Sequence, residues 1–187
     1  MKTLKFTFKT ILSCAFIMVI LTACAQSDSQ EASKAAQPDM DIQAAVISGN
    51  LEAVIQHIEA GTDLNKPEPM GGSTPLISAA TFGETEIAKA LIEAGADLSV
   101  KNNDGATALH AAAFFCRVEI VQLLIDADAD KMAKNNYGST ARESVMGPFS
   151  EIKPIYQVMK EKLKPLGLEL DLEEVEKTRP VIAMMLQ

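Results

Sequence analysis

Residues 71–98 and 104–131 are one segment written twice. GGSTPLISAATFGETEIAKALIEAGADL lies over DGATALHAAAFFCRVEIVQLLIDADADK without a gap at a shift of 33. Thr74 meets Thr107, Leu76 meets Leu109, Ala79-Ala80 meets Ala112-Ala113, and Ile87 and Leu91 meet Ile120 and Leu124. Gly72 meets Gly105 and then Gly138. One copy earlier, DIQAAVISGNLEAVIQHIEAGTDLN fits at a shift of 34, with Gly49 on Gly83 and Gly61 on Gly95; the extra residue falls in the loop NKPEPMGG. A unit this short cannot bury its own apolar face. Repetition at such a period therefore predicts a stack in which neighbours share one continuous core.

The residues inside each unit say what is stacked. Thr74 can cap a helix N-terminus, and Pro75 suits the first helical position, where a missing N–H is no loss. The Ala-Ala pairs let two short helices approach closely. Ile87, Leu91 and Ile92 form an apolar stripe on a second helix. Gly61 and Gly95 suit the left-handed residue that ends it. KNNDG and KNNYG supply turns between units. Thr-Pro-Leu near the start, Ala-Ala in mid-helix, Glu-Ile-Ala or Glu-Ile-Val, then Ala-Gly-Ala-Asp together resemble the ankyrin repeat. The resemblance implies an all-α solenoid of helix-turn-helix units joined by β-hairpin-like loops. Three clear copies cover 39–72, 73–105 and 106–138, and a fourth starts at Gly138-Ser139-Thr140-Ala141, so the repeats span 39–147.

Asp126, Asp128 and Asp130 alternate as in a calcium loop, but such a loop needs Gly at its sixth place and Glu at its twelfth. Lys131 and Tyr137 stand there. The segment is the third copy of a helix end, with Asp128 where the other copies have Gly.

Beyond Tyr137 the pattern decays. SEIKPIYQVMKEKL places Ile152, Ile155, Tyr156, Met159 and Leu163 at helical spacing, with Pro154 expected in the first turn. DLEEVEKTRPVIAMMLQ reads as two short helices, Pro180 opening the second. Residues 148–187 are expected to form a degenerate fourth or fifth repeat that caps the stack.

The first 23 residues are a separate matter. Lys2, Lys5 and Lys9 precede an uncharged run from Ile11 to Ala23. That run is short of the about 20 apolar residues a spanning helix needs and has the form of an export signal. Leu21-Thr22-Ala23-Cys24 resembles a bacterial lipobox. The resemblance implies cleavage before Cys24 and lipidation of its sulfur, palmitate being a common further acyl group. Residues 24–38 then form a flexible tether, with a span of roughly 20 Å. The expected location is the cell envelope; in a Gram-negative cell Ala25 and Gln26 resemble sorting to the outer membrane, facing the periplasm. Loss of the three leader lysines takes the formal charge from −8 to −11, which disfavours nucleic acid as a partner. Membrane contact is expected only through Cys24. Of three cysteines only Cys116 then remains in the fold, and it is expected to pack rather than react.

No catalytic constellation emerges. His110 follows Thr107-Ala108-Leu109, and the resemblance assigns it a structural hydrogen bond to a neighbouring loop. His57 aligns with Leu91 and Leu124 on a half-buried helix face. An enzyme would have to draw on Arg142, Glu143, Tyr156 and Arg179 in the C-terminal segment. No cofactor, metal or small-molecule substrate is expected.

The resemblance implies a protein partner on the concave face. The variable pair after each Ala-Ala is Thr81-Phe82 and Phe114-Phe115, with Tyr137 at a hairpin tip. Exposed aromatics there would be binding anchors; alternatively Phe114 or Phe115 turns inward beside Cys116 or the fourth unit. Lys101, Asn103, Lys134 and Asn136 line the rim with Lys66 to Met70. The chain is therefore read as an anchored adaptor or, alternatively, as an inhibitor or immunity protein for an exported enzyme or toxin.

Overall fold

A computed structural model of the chain describes residues 39–187. The leader, Cys24 and the tether lie outside the described residues. Six short helices form three antiparallel pairs: α1 (Ile42–Ile47) with α2 (Leu51–Glu59), α3 (Pro75–Phe82) with α4 (Thr85–Glu93), and α5 (Ala108–Phe114) with α6 (Val118–Asp126). Among the described residues no strand forms, and the chain is all-α, as expected.

Local chemistry starts the helices. The Asp41 carboxylate accepts from the Gln43 N–H at 2.9 Å, and Asn50 Oδ1 accepts from the Ala53 N–H at 3.1 Å. Thr74 Oγ1 accepts from the Ile77 N–H at 3.3 Å, and Pro75 holds the first helical position. Each cap satisfies a backbone donor that the helix itself cannot. The two helices of a pair are separated by one left-handed residue: Gly49 (φ 69°), Gly83 (φ 85°) and, in the third copy, Cys116 (φ 56°).

Packing follows the small residues. Ala45, Ala79, Ala80, Ala112 and Ala113 are wholly buried where first helices abut. Ile87, Leu91, Ile120 and Leu124 close the same core from the second helices. Each such aliphatic side chain taken out of water contributes about 2 kcal/mol.

Loops repeat as faithfully as helices. Asn102 and Asn135 N–H groups donate to Ala106 and Ser139 carbonyls at 3.0 Å. Asn102 Oδ1 accepts from Asp104 and Ala106 N–H groups, and Asn135 Oδ1 from Tyr137 and Ser139. The first hairpin has a residue more and no Asn at this place. There the longer Glu68 carboxylate accepts from Met70, Gly71 and Ser73 N–H groups, and these bonds hold its pKa below the usual value although its modest burial opposes them.

The third copy ends its second helix on Asp128, which is left-handed (φ 60°) and exposed, in the place of Gly95 (φ 83°). A side chain there holds the backbone in a region that glycine enters freely. Asp128→Gly is expected to raise stability by about 0.5–1 kcal/mol. The check is a urea midpoint, and a lower midpoint in the mutant would refute the assignment.

The C-terminal segment departs from expectation. Leu172–Met185 is a single helix, α8, with Pro180 inside it rather than opening a second one. Its C-terminal half sends Ile182 and Leu186 into the main core, where α8 packs on α6. Where the sequence starts what reads as a fourth unit, the chain makes only a 3-10 turn, Glu143–Val145. Glu143 and Thr140 cap it reciprocally, Glu143 Oε2 accepting from the Thr140 N–H at 2.8 Å and Thr140 Oγ1 from the Glu143 N–H at 3.2 Å. Between turn and α8 lies α7 (Phe149–Leu163), with Pro154 at its sixth position, past the first turn. Ile155, counted in its apolar stripe, is 46% exposed; Tyr156 is wholly buried.

Candidate functional site

The phenylalanine face is covered. Phe115 is only 8% exposed, and Phe82 and Phe114 are half-buried. Phe114 stacks on Tyr156 with ring centroids 4.5 Å apart, and Phe115 meets Phe114 edge-on at 5.1 Å. The expected row of exposed anchors is corrected: Phe115 turns inward, beside Cys116, while Phe82 and Phe114 are half-buried rather than open. The cause is α7 together with the segment after it: Ile152, Tyr156, Met159 and Leu163 join Leu168, Leu170 and Val175 in one cluster with the three rings and remove them from water. Thr81, also expected on this face, turns its hydroxyl back to the Ile77 carbonyl at 2.9 Å.

A polar latch fixes the cover. Tyr156 Oη donates to the Phe114 carbonyl at 2.6 Å and accepts from Arg179 Nη1 at 3.2 Å. Burial pushes the Tyr156 phenol up to about 12 and the Cys116 thiol up to about 11. Both groups stay protonated at neutral pH, so neither is poised as a base or nucleophile. Arg142 and Glu143 are equally committed: Arg142 Nε donates to the Ala183 carbonyl at 3.1 Å, and Glu143 caps the turn. Of the four polar residues an enzyme reading would use, the structure unites Tyr156 and Arg179 and gives the other two structural partners.

The two histidines are structural as well. His57 Nε2 lies 2.8 Å from the Met40 carbonyl and Nδ1 3.0 Å from Thr62 Oγ1. His110 bridges its own helix start to the Ser139 carbonyl of the next hairpin at 3.1 Å.

The hairpin edge remains open. Met70 is 91% exposed and Tyr137 78%, at tips two units apart. Between them the rim residues expected from sequence form a ladder. Asn103 donates through its backbone to the Gly71 carbonyl at 2.9 Å and through its side chain to Met70 at 3.1 Å. Asn136 repeats this one unit on, to Asp104 and Asn103, both at 2.9 Å. Lys101 Nζ donates to the Lys134 carbonyl at 2.8 Å. Sequence reasoning placed these residues at a rim but missed that their amides hold the tips in register. The 33-residue recurrence of the Asn pair was the available signal.

Comparison with known proteins gives a consistent result. A family model described as ankyrin repeats, in three copies, matches residues 42–135. Protein phosphatase 1 regulatory subunit 27 of Homo sapiens and that of Mus musculus are each 43% identical over 61 residues, covering 33% of this chain and 39% of the relative. An ankyrin repeat-containing protein of Schizosaccharomyces pombe is 32% identical over 61 residues, covering 33% of this chain and 29% of its own. The chain thus spans well under half the length of the curated relatives it matches.

Proposed function

Because the chain belongs to the ankyrin-repeat family, we propose that it is a protein-binding scaffold held at the cell envelope by a lipidated Cys24. Repeats of this family point to protein–protein interaction. The observation that carries the surface is the hairpin edge: rigid, hydrogen-bonded from unit to unit, and ending in the exposed apolar side chains Met70 and Tyr137. Preorganised tips lose little entropy on binding, and an exposed aromatic makes a good anchor. Lys101, Asn103, Lys134 and Asn136 supply the polar rim around them.

Capture from the native envelope tests the surface. A partner retained by the wild type is expected to fall at least tenfold on Met70→Ala/Tyr137→Ala, with the circular dichroism spectrum unchanged. Equal recovery with both proteins would move the site elsewhere. Cys24→Ser tests the anchor: the variant is expected to leave the membrane fraction, and its retention there would defeat the lipobox reading.

A second reading is that the scaffold inhibits an exported enzyme. It draws support from the relatives named as regulatory subunits and from the acidic charge, which suits a basic target. An inhibitor abolishes a specific activity at stoichiometric concentration; an adaptor leaves it intact.

A further inference from the structure

The aromatic face under α7, with Leu168, Leu170 and Val175 from the segment that follows, forms a second apolar cluster beside the core that holds the stack together, Cys116 touching both. The helix that covers this face is not needed to close the stack: the turn at Glu143–Val145 and the C-terminal end of α8 put Val145, Ile182 and Leu186 into the main core. The stack's end is therefore closed without α7. Gly147 (φ 89°) and Gly167 (φ 94°) flank the helix, and a side-chain carbon built on either would meet nothing within 4 Å. Pro154 inside α7 removes a helix hydrogen bond and weakens the helix further. The cover is thus bounded by a glycine at each end and lacks one helix hydrogen bond, and what holds it to the stack is its apolar stripe and the Tyr156 latch.

Beneath it lies an unusual charge. Arg179 is 3% exposed, yet its hydrogen-bond acceptors are a phenol, Tyr156 Oη, and a carbonyl, that of Met146 at 3.3 Å. The guanidinium otherwise faces the Tyr156 and Phe149 rings at 5.9 and 6.0 Å. A buried cation whose two acceptors among the described residues are both neutral gains from an anion placed beside it.

We propose that α7 occupies a docking face for a helix of another protein. The fitting ligand is amphipathic, with apolar side chains at the spacing of Ile152, Tyr156, Met159 and Leu163. It also carries a carboxylate at the place of Tyr156, which the Arg179 guanidinium can bind through two parallel hydrogen bonds. The seated α7 is the template for this ligand, and binding proceeds by exchange: α7 swings out about its flanking glycines and the partner helix takes its place. This inference rests on the protein-binding reading above but concerns a different face from the hairpin edge.

The test needs no natural partner, so its failure is separable from failure of the capture experiment. Amide hydrogen exchange on the full-length chain is expected to show α7 exchanging at least tenfold faster than α3 and α5. Exchange of all three in one cooperative step would overturn the proposal. A synthetic peptide of residues 148–166 is then added to the full-length variant Ile152→Asp/Met159→Asp. The variant is expected to keep its thermal transition and to bind the peptide at least tenfold more tightly than the wild type does, because its own α7 no longer competes. A folded variant that binds no peptide would refute the exchange. Should the variant unfold, the wild-type exchange pattern alone decides. The same peptide carrying Tyr156→Glu is expected to bind as tightly as the unmodified one. A buried glutamate would ordinarily abolish binding, so retention identifies Arg179 as the carboxylate's receptor, and a tenfold loss removes the acidic requirement.

Discussion

Gly105→Ala is expected to destabilise the stack by about 3 kcal/mol, whereas Gly95→Ala costs about 1 kcal/mol. Both glycines are left-handed, with φ 72° and 83°, so both substitutions incur the same backbone strain. Their surroundings differ. A side-chain carbon at Gly95 meets nothing within 4 Å. At Gly105 it runs into the Asn136 side chain and lies 2.7 Å from the Asn136 backbone nitrogen. That nitrogen is the donor to the Asp104 carbonyl, and the same residue's amide reaches Asn103. Relieving the clash means separating two hairpins and breaking both bonds, each worth about 1 kcal/mol. Urea unfolding of the two variants checks the difference. Equal losses would mean that the hairpins are not rigidly tied, and the preorganised edge on which the proposed function rests would go with them.

The stack itself was legible because its signals are local and repeat. A period of 33 fixes which residues share a place, and Thr74, Pro75, the Ala pairs and Gly95 act within their own unit. The same alignment puts Cys116 opposite Gly83, so the left-handed turn at Cys116 is legible in the sequence as well. The C-terminal segment was misread for a different reason. Its apolar stripe was visible, but where an amphipathic helix docks depends on contacts far along the chain. Tyr156 reaches back 42 residues to the Phe114 carbonyl, and nothing near either residue announces it. Pro180 misled in the opposite direction: its local preference for a helix start was overridden by the burial of Val175 on one side and Ile182 on the other, which α8 achieves by running straight through. The phenylalanine face failed as a set of exposed anchors because exposure is a property of the whole fold. A position that is open in a uniform stack closes when a further helix lies across it.

His110→Ala is expected to cost about 3 kcal/mol and to abolish an acid-side loss of stability that His110→Gln also abolishes at smaller cost. His110 is 3% exposed. Its Nε2 faces the Ser139 carbonyl and so must carry the proton, while Nδ1 accepts from the Thr107 hydroxyl at 2.9 Å and the Thr107 N–H at 3.3 Å. Truncation strands the Thr107 N–H, which costs about 1–3 kcal/mol when buried without a partner, and removes one of the two donors to the Ser139 carbonyl, a bond worth about 1 kcal/mol, leaving it the Asn135 N–H. Protonation is nearly as damaging, because a second ring proton at Nδ1 would point at the Thr107 N–H. Burial is the largest cause of the lowered His110 pKa, and the charge of Lys101 adds to it. In the unfolded chain the imidazole titrates near its ordinary value of 6.5. The unfolded state therefore binds the proton first as pH falls. The contribution of His110 is fully present above about pH 6.5 and is lost as pH drops from there towards the lower folded value. Thermal midpoints of wild type and His110→Gln measured between pH 7.5 and 5 isolate the effect: the gap between them should narrow on the acid side. A gap that stays constant would mean that the ring is already solvated, and that the bond joining the third unit to the hairpin carrying Tyr137 contributes little to holding that tip in place.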